Sequence, residues 1–454
     1  MKKNDLYKVN NLAHALPQGK SSCVTLGCLL ILLFCETAQA QVKGIKQEID
    51  SVVVNKGLLQ IVTDNKSDGG MYVFFDFDNQ NTGELINDGE LHVFKNYNND
   101  GTVRFTADDI VKNKRVINST GTTFFSDLYV KQLITGNAVS DFQNVVFNNM
   151  SSVVPFDLTT TIRVGNESRF ENGIINALDS KARVIFNQYA SAVNAGDHSF
   201  VDGMVVKSGD TEFEYPIGNN LYYRPLIVGA SAGQNAYVSQ YFFKPSEYLT
   251  RDKDASILEL NSAEYWEISR DSGTDKIILG LTLNSSTTPS HFLNLNPDQQ
   301  LAIVRWDSRN NLWVNEKGSA EESTNPNFSN LMMGEVEGPG IFTVAIVKKT
   351  VQPQDVEVFN AISPNGDGVN DTFHIAGIDK YPDNSVEIYN RWGVKVFETK
   401  SYNESDNVFT GYSDGRATVT RGEKLPTGTY FYILRYNKEG NGIEKSGYLY
   451  INNQ

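Results

Sequence analysis

Residues 365–371, Asn-Gly-Asp-Gly-Val-Asn-Asp, hold the densest set of oxygen donors in the chain. Asn365, Asp367, Asn370 and Asp371 supply amide and carboxylate oxygens at short intervals, and Gly366 and Gly368 allow a sharp turn, as in the first half of a calcium loop. The glutamate that closes an EF-hand at its twelfth position is missing, and Ala376 stands there. Asx side chains also bond their own backbone in turns. That turn is the preferred reading, and calcium is the alternative.

Other candidates are weaker. Gly229-Ala230-Ser231-Ala232-Gly233 fits G-x-S-x-G, but a nucleophile elbow needs a helix after the serine. A strand-like QNAYVSQYFF follows instead, so the segment reads as a hairpin turn of small residues. His92, His198, His291 and His374 fall in different segments, with no H-E-x-x-H and no pair at helical spacing. Asp76 and Asp78 alternate along MYVFFDFDNQ and share one face of a strand. Paired carboxylates can hydrolyse glycosides, but opposite Phe75 and Phe77 they read as solvent-facing. No Walker or dinucleotide motif is present.

The elements that would position these residues are almost all strands. The chain has 454 residues, is 40% hydrophobic and 11% aromatic, and carries a net charge of −14. This is a globular composition of two to four domains. Its acidity argues against nucleic acid and anionic lipid as partners, because both require clustered basic residues.

Lys2, Lys3, Lys8 and Lys20 precede the apolar run CVTLGCLLILLFC (23–35), and Ala38-Gln39-Ala40 follows. A basic region, a short apolar core and an A-x-A site define a signal peptide over 1–40. The run is short of the roughly 20 residues of a spanning helix, which disfavours an uncleaved anchor. A lipoprotein signal through Cys28 is disfavoured by Thr25, where leucine is wanted. Cys23, Cys28 and Cys35 are the three cysteines of the chain. Cleavage after Ala40 therefore leaves no disulfide, thiolate nucleophile or Cys-based metal site, no transmembrane helix, and a charge of −16 from 36 basic and 52 acidic residues.

From 41 to 200, short apolar groups follow Gly, Asn and Asp corners: GELINDGELHVF (83–94), NNDGTVRF (98–105), STGTTFF (119–125) and VSDFQNVVFNN (139–149). Gly83, Gly101 and Gly121 suggest a period near 20 and the coils of a degenerate parallel β-solenoid. An antiparallel sandwich is the competitor. From 201 to 350, strands of 5–8 residues between turn clusters indicate a β-sandwich. Trp306 and Trp313 flank its DSRNN turn and cap one end of a core. Residues 351–356 read as a linker. Residues 357–454 form a compact unit with two hairpins, VEIYNRWGVKVFE (386–398) and GTYFYILRYNKEGNGIEKSGYLYI (428–451). Tyr430, Tyr432, Leu434 and Tyr436 share one face of the last hairpin, and Phe431 and Ile433 share the other. Both faces are apolar, so the strand is central and covered on both sides.

This last unit resembles the gliding motility-associated C-terminal domain of Bacteroidetes, the longer class of type IX secretion sorting domain. The resemblance rests on SPNGDGVNDTF (363–373), VEIYNRWGVKVFE, LPTGTYFYIL (425–434) and GYLYI (447–451). The motif positions are Asn365, Gly366, Asp367, Gly368, Asn370, Asp371, Asn390, Arg391, Trp392, Gly393, Leu425, Pro426, Gly428 and Tyr430. The family's Trp-x-Gly is replaced by Phe409-Thr410-Gly411. The resemblance implies a C-terminal small β-sandwich sorting domain read by the type IX translocon and an outer-membrane partner protein. It also implies a cell-surface or extracellular destination reached through the periplasm. Tyr430, Tyr432 and Trp392 are expected to pack in its core, leaving the turns for recognition. YPIGNNLYYRPL (215–226) and the Tyr265-Trp266, Trp306, Trp313 and 340–343 series look like segments of other type IX cargo.

The whole reads as an all-β exported protein that is not an enzyme. Its body is expected to be an adhesin or structural module that binds a surface polysaccharide or a host or substratum ligand. A polysaccharide lyase or glycoside hydrolase on a solenoid is the alternative.

Overall fold

The computed structural model describes residues 40–42, 52–62, 70–112, 114–231, 233–272, 276–323, 325–349, 355–414 and 422–453. The signal peptide, except Ala40, and residues 351–354 of the linker lie outside these. The chain divides into two compact units, Met1–Val201 and Asp202–Gln454. Among the described residues nearly every element is a strand, and the helices are single short turns at Ser290–Leu293 and Ile378–Lys380. Among the described residues no helix is long and apolar enough to cross a membrane.

The first unit is a parallel β-solenoid, the favoured of the two sequence readings. Strands Asp76–Asn79, Tyr97–Asn99, Gln132–Thr135, Phe156–Leu158 and Ile175–Ala177 pair in parallel on one wall. Glu90–Val93, Thr122–Asp127, Ser140–Asn149 and Thr161–Asn172 do so on another. In-register stacking places like residues above one another inside. Phe125, Phe147 and Phe170 form a column with ring centroids 5.8 and 5.9 Å apart. At one corner buried asparagines form a ladder. Asn55 donates to Asn79 at 2.8 Å, Asn79 to Asn99 at 2.8 Å, and Asn99 to the Ser140 hydroxyl at 3.0 Å. Each amide both donates and accepts, so the ladder satisfies polar groups that the core would otherwise leave unpaired.

The period expected from Gly83, Gly101 and Gly121 holds for one step only. The Thr102 amide donates to the Gly83 carbonyl, but that of Thr122 donates to Gly89, so Gly121 stacks over a different corner. The cause is an antiparallel hairpin, Asp109–Val111 with Lys114–Val116, inserted into this coil. Arg115 ties it to the coil wall through Asn166 and the Gly165 carbonyl.

The second unit begins with an antiparallel sandwich. One sheet runs Val205–Gly209, Asn235–Phe242, Tyr265–Ser272, Gly340–Lys348, Gln299–Asp307, Leu312–Lys317. The other runs Phe213–Tyr215, Leu226–Val228, Ile277–Leu283, Asn330–Val336, Ser319–Glu322. Trp306 and Trp313 pack edge to face in a cluster with Ile257, Leu260, Val304 and Val347, and Tyr248 stacks on Trp306. In the 215–226 segment, Arg224 is fully buried. It donates to Thr287 at 2.8 Å and Ser286 at 2.5 Å, and Trp266 donates to its carbonyl. Buried Glu264 accepts from Tyr241 at 2.7 Å and Thr288 at 2.5 Å. Burial raises the pKa of Glu264, while those hydroxyls and the Arg224 charge oppose the rise.

The C-terminal part of the second unit has a five-stranded sheet, ordered Ala361–Ile362, Asn441–Ile451, Gly428–Lys438, Asn384–Tyr389, Lys395–Lys400, and a two-stranded one of Glu357–Val358 and Ile375–Ala376. The hairpin turn of its longest strands has Glu439 and Gly440 both at positive φ, 53° and 84°. This matches the right-handed twist of the strands it joins.

Candidate functional site

The C-terminal sheet gathers most of the residues singled out in the sequence. Its strand Gly428–Lys438 alternates as expected and is covered on both faces. Tyr430, Tyr432, Leu434 and Tyr436 enter a core with Phe373, Ile375, Val386, Ile388, Phe409 and Leu425. The Tyr430 hydroxyl donates to the Pro426 carbonyl at 2.9 Å and closes the turn that starts the strand at Gly428. Phe409 fills the place of the expected tryptophan, fully buried with its ring 4.9 Å from Phe397. Gly411 has φ +81°, and a Cβ there would lie 2.7 Å from Pro364. The aromatic and the glycine of that motif thus keep separate tasks.

Trp392 departs from the expectation. It is half-buried on the turn between Asn384–Tyr389 and Lys395–Lys400, with Arg391 over its ring at 4.9 Å. It sits on the five-residue turn itself, outside the strands whose inward side chains form the core. The turn is held by Asn390, whose side-chain oxygen accepts from the Trp392 and Val394 amides at 2.9 and 3.0 Å. Gly393 takes φ +71°.

In the 365–371 loop, Asp371 accepts from the Gly366 and Gly368 amides, both at 2.7 Å. Those two bonds hold its carboxyl below the usual range. Asp367 accepts from the Val369 amide and the Asn365 amide group, and Asn365 accepts from the Asp367 amide. Asn370 takes φ +55°, and its carbonyl accepts from Ser363. These oxygens act as turn acceptors. Among the described residues no group of three or more His, Cys, Asp or Glu is placed to hold a metal ion.

The second face of Gly428–Lys438 meets the sandwich. Phe431, Ile433 and Tyr389 form one buried cluster with Ile278 and Met333, flanked by Leu331 and Tyr448. The Tyr448 hydroxyl lies 3.0 Å from the Leu331 carbonyl and 3.2 Å from that of Ser319. The Ser319 hydroxyl donates to the Ser446 carbonyl at 2.9 Å. Arg435 donates to Glu335 of the sandwich at 3.0 Å and, within its own sheet, to Glu387 at 2.6 Å and Glu444 at 2.9 Å. Burial works against the Arg435 charge, but the three carboxylates outweigh it and raise its pKa. Gly229 and Gly393 touch backbone to backbone. A Cβ on Gly229 would stand 2.6 Å from the Gly393 carbonyl oxygen.

This interface was half legible. The apolar second face of the strand was visible, but Glu335, Arg435 and Tyr448 carry no local signal, since their partners are about 100 residues or more away in sequence. The G-x-S-x-G match has no helix after it: Ser231 sits between the strands Leu226–Val228 and Asn235–Phe242. Its hydroxyl donates to the Gly233 carbonyl and accepts from Asn235. Asp76 accepts from the Asn96 amide, and Asp78 accepts from Gln80 and Asn98, all inside the solenoid wall. His92 stacks between Tyr72 and Phe124, His198 lies against the Phe170 carbonyl, and His291 and His374 pair with Glu259 and Glu404. The four are not brought together.

Residues 356–451 match the family described as CHU_C Type IX secretion signal domain. The C-terminal sheet is therefore a type IX sorting domain, and it marks the chain for export to the cell surface or extracellular space. No curated protein and no solved structure matches the chain.

Proposed function

We propose that the chain is a surface-displayed binding protein, an adhesin or coat component. The type IX translocon and an outer-membrane partner protein deliver it after a signal peptide has taken it to the periplasm. The observation that supports this most is how the solenoid uses its polar side chains. Among the described residues many of them bond along the walls, coil to coil. Arg104 pairs with Glu84, Arg163 with Asp141, Asn166 with Asn144, Asn172 with Asn148 and Asn176 with Asp157. A cavity of about 300 Å³ on this unit is lined by Asn98, Thr135, Asn137, Thr159, Asp179 and Lys181. Amides and hydroxyls both donate and accept, as sugar hydroxyls do. Such a surface suits polysaccharide held by many weak bonds better than it suits acid–base attack.

The test is a panel of surface polysaccharides incubated with the purified protein. Retention on the glycan without new reducing or unsaturated ends supports the binding reading. Release of such ends would establish the alternative, a lyase or glycoside hydrolase.

A further inference from the structure

We propose that the sandwich is a dedicated dock for the sorting domain, and that the two stay bound when the chain between Lys349 and Asp355 is cut. Three independent features support this. The first is apolar: Phe431 and Ile433 are 1% and 2% exposed, and part of what covers them, Ile278 and Met333, comes from the sandwich. Without the dock, the central strand of the sorting domain would show water an aromatic-aliphatic face of the kind that elsewhere marks an interaction site. The second is fit. Gly229 and Gly393 approach so closely that neither tolerates a Cβ without movement, and Gly393 holds φ +71° to do so. The third is polar pairing across the interface: Arg435 with Glu335, Lys317 with Glu444, Ser319 with Ser446, and Tyr448 with two sandwich carbonyls.

The residues just after the cut belong to the sorting domain. Asp355 pairs with Lys438, and the Val356 carbonyl accepts from Lys445. A break at 350–354 therefore removes none of these bonds. It converts an intramolecular contact into a bimolecular one, and the interface alone must then offset the lost effective concentration. The consequence for export rests on the type IX reading: proteolysis of the linker would not by itself release the domain, and the label would stay on the body. The docking rests on the geometry, and its test is done on purified protein, so either can fail without the other.

The experiment places a site-specific protease sequence in 350–354 of the full chain, cuts it, and runs size-exclusion chromatography at about 10 µM, where a submicromolar complex stays associated. Co-elution of the two fragments is expected, and separate elution overturns the proposal. Gly229→Leu and Glu335→Lys, each checked for an unchanged far-UV spectrum before cutting, should let the fragments separate. Co-elution in both variants would overturn the assigned interface. A variant that loses its fold is replaced by a cross-link. The Ser319 and Ser446 hydroxyls lie 3.2 Å apart, and the chain after residue 40 has no cysteine. Ser319→Cys with Ser446→Cys should then give a reducible link between the cut fragments, and absence of that link overturns the proposal.

Discussion

The Arg435 guanidinium donates to Glu335, 100 residues earlier in the chain, at 3.0 Å, and also holds Glu387 and Glu444. For both Glu387 and Glu444, burial would raise the pKa, but the cations outweigh it: Lys395 and Arg435 for Glu387, Lys317 and Arg435 for Glu444. Each carboxyl ends below its ordinary value of 4.5. A carboxyl depressed by folding contributes stability that is present above its unfolded pKa and lost as pH falls through its folded one. Glu387 and Glu444 should therefore make thermal melts of the full chain lose stability as pH falls below about 4.5. Glu387→Gln should shrink that decline, and an equal acid decline in the variant would show that other carboxyls set it.

Asn79 donates to the side chain of Asn99 and accepts from Asn55, wholly out of contact with water. Asn79→Ala takes one hydrogen bond each from Asn55, which keeps the Glu84 carbonyl, and from Asn99, which keeps the Gly101 amide, at a cost of about 1–3 kcal/mol. Asn79→Asp should be no better, because it sets two acceptors face to face at Asn99. Urea titration of the full chain, followed by tyrosine and tryptophan fluorescence, measures both. A loss under about 0.5 kcal/mol would mean that water enters this corner.

The Arg224 charge and the Glu264 carboxyl are buried together, with Thr287 accepting from Arg224 and bonded to Glu264, and with Tyr241 and Thr288 donating to Glu264. Removing the cation leaves Glu264 and Thr287 without it, so Arg224→Leu should destabilise by about 3–5 kcal/mol. The pair Arg224→Leu with Glu264→Gln should recover much of that. Additive losses in a double-mutant cycle would contradict the coupling.

Parallel stacking, the sandwich and the two-faced strand of the sorting domain were readable because side-chain alternation and turn residues are local signals. Gly83 and Gly101 marked successive corners correctly. Gly121 misled, since an insertion such as 109–116 changes spacing without changing the corner chemistry. Trp392 misled because an aromatic residue reads as core wherever it stands, whereas this one stands half-buried on the turn that Asn390 holds. The Arg435 and Glu335 contact was not readable, because two ordinary charges become partners only once two sheets meet.

The 365–371 loop gives a sharp contrast between its two readings. Its Asp371 carboxylate accepts two backbone amides, so Asp371→Asn should lower the melting temperature with or without calcium. Calcium at millimolar concentration should leave the melting temperature of the unaltered protein unchanged. A calcium-dependent rise that the substitution removes would establish a metal loop.

Residues 356–451 match a type IX secretion signal domain, and on the function proposed above they direct the chain across the outer membrane. Removing 357–454 in the producing cell and following the body by protease accessibility on intact cells tests it most directly. The truncated body should stay in the periplasm, protected from protease, while the full chain is cut at the surface. A truncated body that is still cleaved on intact cells would contradict it.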